Sequence, residues 1–431
     1  MEFIEKDMEK QKFYSDYLKI LEEELVPAYG CTEPIALAYT AAVAKKHLPV
    51  FPEKIKILCS GNIVKNCKSV IIPPTTDLMG MEAAVLMGTI CGDPERGLEV
   101  IAGATDEQIS KVRALLSSDI CEVGTLATKA VLHIKIYMEG QGYSSEATLI
   151  HTHTGVVEIK ENDSIVWQIP YSETDSGESM TDRSVLSVAG ILDFATKVDL
   201  EDVRALLERQ INYNMHIAEE GILRAPNAVI GKTLYNDVSA GEFSKAIAYT
   251  AAGSEMRMNG CGLPVVTNSG SGNQGITISV PLTVYAREKN YSEEQLFRAL
   301  VVANLISVHI KTGIGRLSAF CGAVSAACGT GAGLTFLSGG GVEEVNSTIT
   351  NTLGNVSGLF CDGAKSSCAL KIAASLNAAV LAYRLSMKGY SLNSGDGIVK
   401  EDIEKTIGGV GVIGSCGMKQ TDETILNVML S

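Results

Sequence analysis

Apolar positions follow a helical period near the N-terminus, a strand period in the next hundred residues, and a helical period again to the end. In residues 5–26 they recur at Tyr14, Tyr17, Leu18, Leu21 and Leu25, one helix face, until Pro27 ends the run. A second helix is predicted from Thr32 to His47. Thr32 suits an N-cap, Pro34 suits the first turn, and Pro49 and Pro52 close the element. Over residues 54–180, KIKILCSG alternates like a strand, and LEVIAG and VLHIKIYMEG read similarly. DEQISKVRALLSS reads as a helix, and EATLIHTHTGVVEIKENDSIVWQI as two antiparallel strands around the turn END. The polar stretch SETDSGESMTDRS (172–184) reads as a linker. From about residue 185 the period is helical almost throughout, in segments rich in Ala, Gly and Ser that permit close helix approach. Glycine clusters at 268–275, 313–315, 329–341 and 408–417 are expected between or at the ends of these helices.

The predicted fold is therefore multidomain, α and β. N-terminal helices (1–53), an inserted α+β domain (54–180) and a large all-α domain (181–431) succeed one another. The 431 residues are 46% hydrophobic and 20% charged, ample for such cores. The net charge of −14 argues against nucleic acid or an anionic membrane surface as partner. The N-terminus, MEFIEKDMEKQKF, has no apolar signal region. No apolar run approaches the roughly 20 residues of a membrane span; the longest, Ile372–Leu385, is broken by Ser375, Asn377 and Arg384. A cytoplasmic location is expected.

Eleven cysteines are many for a reducing compartment, where disulfides are disfavoured. Cys59, Cys67, Cys91, Cys121 and Cys261 read as small packing residues. Cys321, Cys361 and Cys368 lie in glycine-rich surroundings, AFCGA and GLFCDGAKSSC. They are either ligands of one metal centre with an open position or buried cysteines of a helical core, with Cys328 a competing ligand. The seven-residue separation of Cys361 and Cys368 suits one helix face or one tight loop. Cys31 precedes a predicted helix N-terminus, which would lower its thiol and suit it as a base toward carbon; otherwise it is incidental to the cap. The loop NSGSGNQG (268–275) offers hydroxyls, amides and free N–H groups to a carboxylate or phosphate, or is a flexible turn. His151 and His153 share a strand face read as solvated, and His216 and His309 read as core or surface. Lys365 either pairs with an anionic cluster or substrate or is solvated.

At these residues the chain resembles the L-cysteine desulfidases, relatives of the iron–sulfur L-serine dehydratase α chain. The resemblance runs through GCTEPIA (30–36), CSGNIVKN (59–66), NSGSGNQG, AFCGA and CDGAKSSCALK (361–371), and so spans nearly the whole chain. It implies a 4Fe–4S cluster in the all-α domain, held by Cys321, Cys361 and Cys368, with one iron left for substrate. It implies Cys31 as the base, docked against the cluster by the N-terminal helices, and a homodimer. The tail ETILNVMLS lacks the terminal cysteine of the serine dehydratases, Cys416 being fifteen residues from the end.

The expected function is α,β-elimination of L-cysteine to pyruvate, ammonia and sulfide. Ser269, Ser271, Asn273, Gln274 and Lys365 would hold the substrate. Three alternatives stand beside it. One is the same elimination on L-serine. Another is a pyridoxal-phosphate lyase with Lys245 as Schiff base and a phosphate pocket at 329–341. The last is a non-catalytic sensor with a closed cluster completed by Cys328 or Cys416.

Overall fold

Helix α1 (Glu2–Glu24), the short strand β1 (Pro27–Ala28) and helix α2 (Thr32–Lys46) open the chain. The structure, a computed structural model, describes residues 2–174, 180–225, 228–237 and 241–431. The start of α2 differs from expectation by one position: Cys31, with extended backbone, is the N-cap and Thr32 the first helical residue. The predicted linker falls partly outside the described residues, at 175–179.

Strand β2 (Lys54–Cys59), helices α3 (Gly61–Cys67), α4 (Met81–Cys91) and α5 (Asp106–Leu116), and strands β3 (Cys121–Thr125) and β4 (His133–Gly140) follow. Strands β5 (Tyr143–Ile150), β6 (Val156–Glu161) and β7 (Ser164–Gln168) complete a six-stranded sheet of order β3-β2-β4-β5-β6-β7. Only β2 and β3 run parallel; Ile57 pairs with Ile136 across β2 and β4. Alternation buries Ile55, Ile57, Ile134, Ile136, Met138, Ala147 and Leu149 in a core shared with α2 and α4. The segment LEVIAG is not a strand. It ends a 3₁₀ helix (Pro94–Glu99) whose cap, Asp93, accepts from the Glu95 N–H. Leu98, Val100 and Ile101 are buried in the sheet core from a turn, a placement that short apolar runs do not distinguish from a strand.

The helical half begins at α6 (Val188–Lys197), α7 (Leu200–Leu223), α8 (Val229–Asn236) and α9 (Ser244–Met258). Strand β8 (Val265–Val266), which pairs with β1, leads into α10 (Gly272–Lys289), α11 (Glu293–Ile314) and α12 (Gly322–Leu337). Helices α13 (Val342–Val356), α14 (Cys368–Ser386), α15 (Ile403–Val412) and α16 (Lys419–Leu430) end the chain. The two N-terminal helices separate. Tyr17, Ile20, Leu21 and Leu25 of α1 join the helical core, whereas α2 belongs to the sheet core rather than docking with α1 on the C-terminal helices as expected. Among the described residues two helices, α11 and α14, are long and apolar enough to cross a membrane, contrary to the sequence expectation; their apolar windows are 78% and 50% buried inside the protein.

The glycines at 329, 331 and 333 lie within α12, not at a helix end as predicted. A Cβ at Gly329 would stand 2.3 Å from the Ala303 carbonyl oxygen of α11. Gly329→Ala is expected to destabilise the protein by about 2–3 kcal/mol, the usual cost of overpacking a rigid core. Urea unfolding of the two proteins side by side would check this; an unchanged midpoint would contradict it.

Candidate active site

Four helices start at one cavity of about 110 Å³, walled by residues from both cores. Cys31, Thr32 and Glu33 come from the start of α2, and Ser271, Asn273 and Gln274 from the start of α10. Cys321, Gly322 and Ala323 come from the start of α12, and Cys368 from the start of α14. None of the four N-caps makes a side-chain cap hydrogen bond. Helices α2, α10 and α12 therefore bring uncapped first turns and the positive ends of their dipoles to one space, whereas the first N–H groups of α14, at Cys368, Ala369 and Leu370, bond the carbonyls of Lys365, Ser366 and Ser367. Such a space favours anionic contents.

The loop before α10 is held from below by buried amides. Asn268 N–H and Ser271 C=O bond at 3.1 Å, and Ser271 N–H returns to Asn268 C=O at 3.0 Å. The Asn268 amide donates to Asn304 Oδ1 at 3.1 Å, and Asn304 exchanges bonds with Gln210 at 3.0 and 2.9 Å. Helices α7 and α11 thus fix the loop. Ser269, Ser271, Asn273 and Gln274 all line the cavity. Gln274 also lies over the start of α12, where its Oε1 accepts from Ser325 Oγ at 3.4 Å.

Cys31 reaches the cavity as part of a polar cluster centred on Glu33. The carboxylate of Glu33 accepts from Cys31 Sγ at 3.2 Å, Thr32 Oγ1 at 3.1 Å and Asn66 Nδ2 at 3.0 Å. His153 Nε2 stands 3.9 Å from Glu33 Oε1, an ion-pair distance rather than a hydrogen bond. The expected solvated histidine face is thus corrected: His153 is buried at the cavity wall. Strand β5 ends at Ile150, and His151 turns the chain with φ of +66°. The expected lowering of the Cys31 thiol is also reversed. Burial, and then the adjacent Glu33 charge, push it well above its ordinary value; Arg257 only partly offsets them.

Burial would raise Glu33 too, but the His153 imidazole and the Cys31 hydrogen bond outweigh it and hold the carboxyl at about 2. Its ordinary value is 4.5. A depressed carboxyl contributes stability above pH 4.5 that is lost as pH falls toward 2. The difference corresponds to about 3 kcal/mol. Glu33→Gln is expected to remove that acid limb, so its melting temperature should fall less than wild type's between those pH values. Parallel acid limbs would contradict the assignment.

The three downstream cysteines meet at the same wall. Residues 319–321 and 359–361 pair across an isolated bridge at Phe320 and Phe360, with Cys361 N–H on Ala319 C=O at 2.6 Å and Cys321 N–H on Leu359 C=O at 3.0 Å. Cys361 and Cys368 bracket the loop between this bridge and α14, so they do not share a helix face. Burial, then the neighbouring Cys361, push the Cys321 thiol up to about 12. Bound metal would deprotonate such thiols outright. The rival Cys328 is fully buried in α12 against the Ile349 carbonyl and lines no part of the cavity. Cys416 is exposed on a π-turn (Ile413–Gly417), away from the cavity wall.

Lys365 also differs from expectation. Its ammonium bonds Asp362 Oδ1 at 2.5 Å and the Gly363 carbonyl at 3.1 Å, and it does not line the cavity. Lys371, ion-paired to the same Asp362, takes that place in the wall. Lys245 is on the outer side of α9, 44% exposed and 3.0 Å from Glu288, which leaves the Schiff-base reading without its lysine. The wall instead carries five cations: Lys65, Arg257, Lys311, Arg316 and Lys371. Lys65 is ion-paired to Asp422 of α16, and Arg316 to Glu24 at 2.8 Å. Burial pulls Lys311 down to about 8. Of the groups missed in the sequence, Glu33 and Asn66 lie inside the GCTEP and CSGNIVKN stretches and were within reach. Arg257, Lys311 and Arg316 carry no local signal.

A family model described as the serine dehydratase alpha chain matches residues 95–427. A UPF0597 protein of Treponema denticola is 48% identical over 428 residues, covering 98% of this chain and 99% of that one. A UPF0597 protein of Lachnoclostridium phytofermentans is 48% identical over 418 residues, covering 97% and 100%. Another, of Fusobacterium nucleatum, is 46% identical over 417 residues, covering 96% and 98%. With matches of this extent, the chain belongs to the serine dehydratase alpha chain family.

Proposed function

We propose that this protein is a lyase that eliminates sulfide from L-cysteine, with an iron–sulfur cluster held by Cys321, Cys361 and Cys368. The observation that carries the reading is that these three cysteines and Cys31, from sequence-distant segments, line one cavity ringed by helix N-termini and cations. The donor set fits a 4Fe–4S group. Among the described residues no three His, Cys, Asp or Glu side chains are arranged to hold a single metal ion. A polynuclear cluster places its cysteines on separate irons. Its negative charge, with that of a carboxylate substrate, suits the cationic lining. When bound, an iron without a cysteine ligand supplies a Lewis acid for the departing sulfur.

The chain's own residues do the rest. The loop at 269–274 and the first turn of α10 receive the substrate carboxylate. Cys31 takes the α-proton: the Cα–H bond breaks, S–H forms, and the electron pair becomes the Cα=Cβ bond as hydrosulfide leaves. A thiol raised by burial and by Glu33 is a strong base once ionised. Glu33, which accepts the Cys31 S–H hydrogen bond at 3.2 Å, holds the thiol in place at the cavity wall. The 2-aminoacrylate released then takes up water to give pyruvate and ammonia. Cys31 is buried, which keeps bulk water from the base.

The family's description favours a second reading, in which hydroxide leaves from L-serine. Protein purified anaerobically would be assayed for iron and acid-labile sulfide, then for pyruvate and sulfide release from L-cysteine beside L-serine. A kcat/KM higher for L-cysteine supports the first reading; pyruvate from L-serine alone establishes the second. The homodimer belongs to the same proposal and is checked by light scattering.

A further inference from the structure

We propose that Arg257 anchors the α-carboxylate of the substrate and so restricts this site to free α-amino acids, an inference that rests on the amino-acid lyase reading above. Arg257 lies in the last turn of α9 with only 2% of its surface exposed, and it lines the cavity. One guanidinium nitrogen, Nη1, donates to Asn273 Oδ1 at 3.1 Å. The other edge, Nε and Nη2, has no hydrogen-bond partner although both atoms are buried. A permanently charged group with two unmet donors is costly to bury unless an anion completes it.

The unmet edge is the one that takes a carboxylate with two parallel hydrogen bonds. Arg113 of this same protein shows the geometry, with Nε to Asp77 Oδ2 at 3.0 Å and Nη2 to Asp77 Oδ1 at 2.8 Å. Two features hold Arg257 in position for such a pair. Asn273 fixes the far side of the guanidinium. Gly272 brings the backbone flat against it: a Cβ there would stand 2.5 Å from Nε and 2.7 Å from Cζ. The first turn of α10, uncapped by Ser271, adds N–H groups and a positive dipole on the same side.

The placement also orients the substrate. Arg257 and Cys31 line the same cavity, so a carboxylate held by Arg257 leaves the adjoining Cα in the space that Cys31 also faces. Lysine, a point charge with no planar fork, cannot reproduce the pair.

The test uses the full-length, anaerobically purified protein with wild type, Arg257→Gln and Arg257→Lys. Binding of L-alanine and L-alaninamide, neither of which carries a leaving group, would be measured by titration calorimetry. Iron per chain and melting temperature would be measured on the same samples. The expected result is iron content near wild type in both variants. L-Alanine should bind about 100-fold more weakly to Arg257→Gln and about 10-fold more weakly to Arg257→Lys. L-Alaninamide binding should change less than about threefold. Equal weakening of both probes, or unchanged L-alanine binding, overturns the role of Arg257 while leaving the lyase reading intact. Loss of iron in Arg257→Lys with unchanged binding would assign the arginine to the cofactor instead and also overturn it. A wild-type protein that binds no α-amino acid overturns both readings together.

Discussion

Alanine at Cys321, Cys361 or Cys368, taken singly, is expected to yield folded protein that holds less than about a tenth of the wild-type iron and has lost activity by at least about 10³-fold. The physical reason is the number of ligands. A cluster held by three thiolates has no spare protein ligand, so removing one leaves an iron exposed to solvent and exchange. The fold should survive. These cysteines line a cavity, and two of the three are only partly buried, so truncation opens little new void. Cys328→Ala gives the opposite pattern. That residue is fully enclosed in α12, and its loss should cost about 1–2 kcal/mol while iron and activity remain. Iron and acid-labile sulfide per chain, the visible spectrum and a urea curve separate the two behaviours. Wild-type iron in any of the three cavity variants would remove that cysteine from the ligand set.

Cys31→Ala is expected to lower kcat by about 10³-fold with iron content and KM close to wild type, the size typical of losing a positioned acid–base group. Exchange of the α-proton of L-cysteine with deuterated solvent should disappear with it. A purely structural role for Cys31 would instead change stability and leave exchange in step with turnover. Loss of iron in this variant would make Cys31 a ligand and would sink its assignment as the base. Cys31→Ser keeps the side-chain shape and the hydrogen bond to Glu33. It should be nearly as inactive, because a hydroxyl is far harder to ionise than a thiol in the same buried setting.

Much of the fold was legible where local chemistry and periodicity agree. Helix α5 carries Thr105 and Gln108 as a reciprocal cap, β2 alternates buried with more exposed positions, and β4 alternates buried with half-buried ones from Ile134 onward. Legibility failed where burial comes from contacts distant in sequence. LEVIAG has the composition of a strand, but Leu98, Val100 and Ile101 reach the sheet core from a turn. Helix α2 looks like a companion of α1, yet its alanine-rich faces pack on the sheet and on α4.

For the site, residue type and spacing nominated Cys31, Cys321, Cys361 and Cys368, together with the loop at 268–275. They left open whether each cysteine was a ligand, a base or packing. The tertiary structure decided which of them share a wall, setting Cys328, Cys416 and Lys365 aside. It also brought Glu33 and His153 to the cavity wall, and it supplied Arg257, Lys311 and Arg316, which carry no local signal. The reason is electrostatic and geometric. A thiol's chemistry is carried by the residue and can be read in place. The charge of a cavity is a sum over side chains and helix ends that only the folded chain brings together.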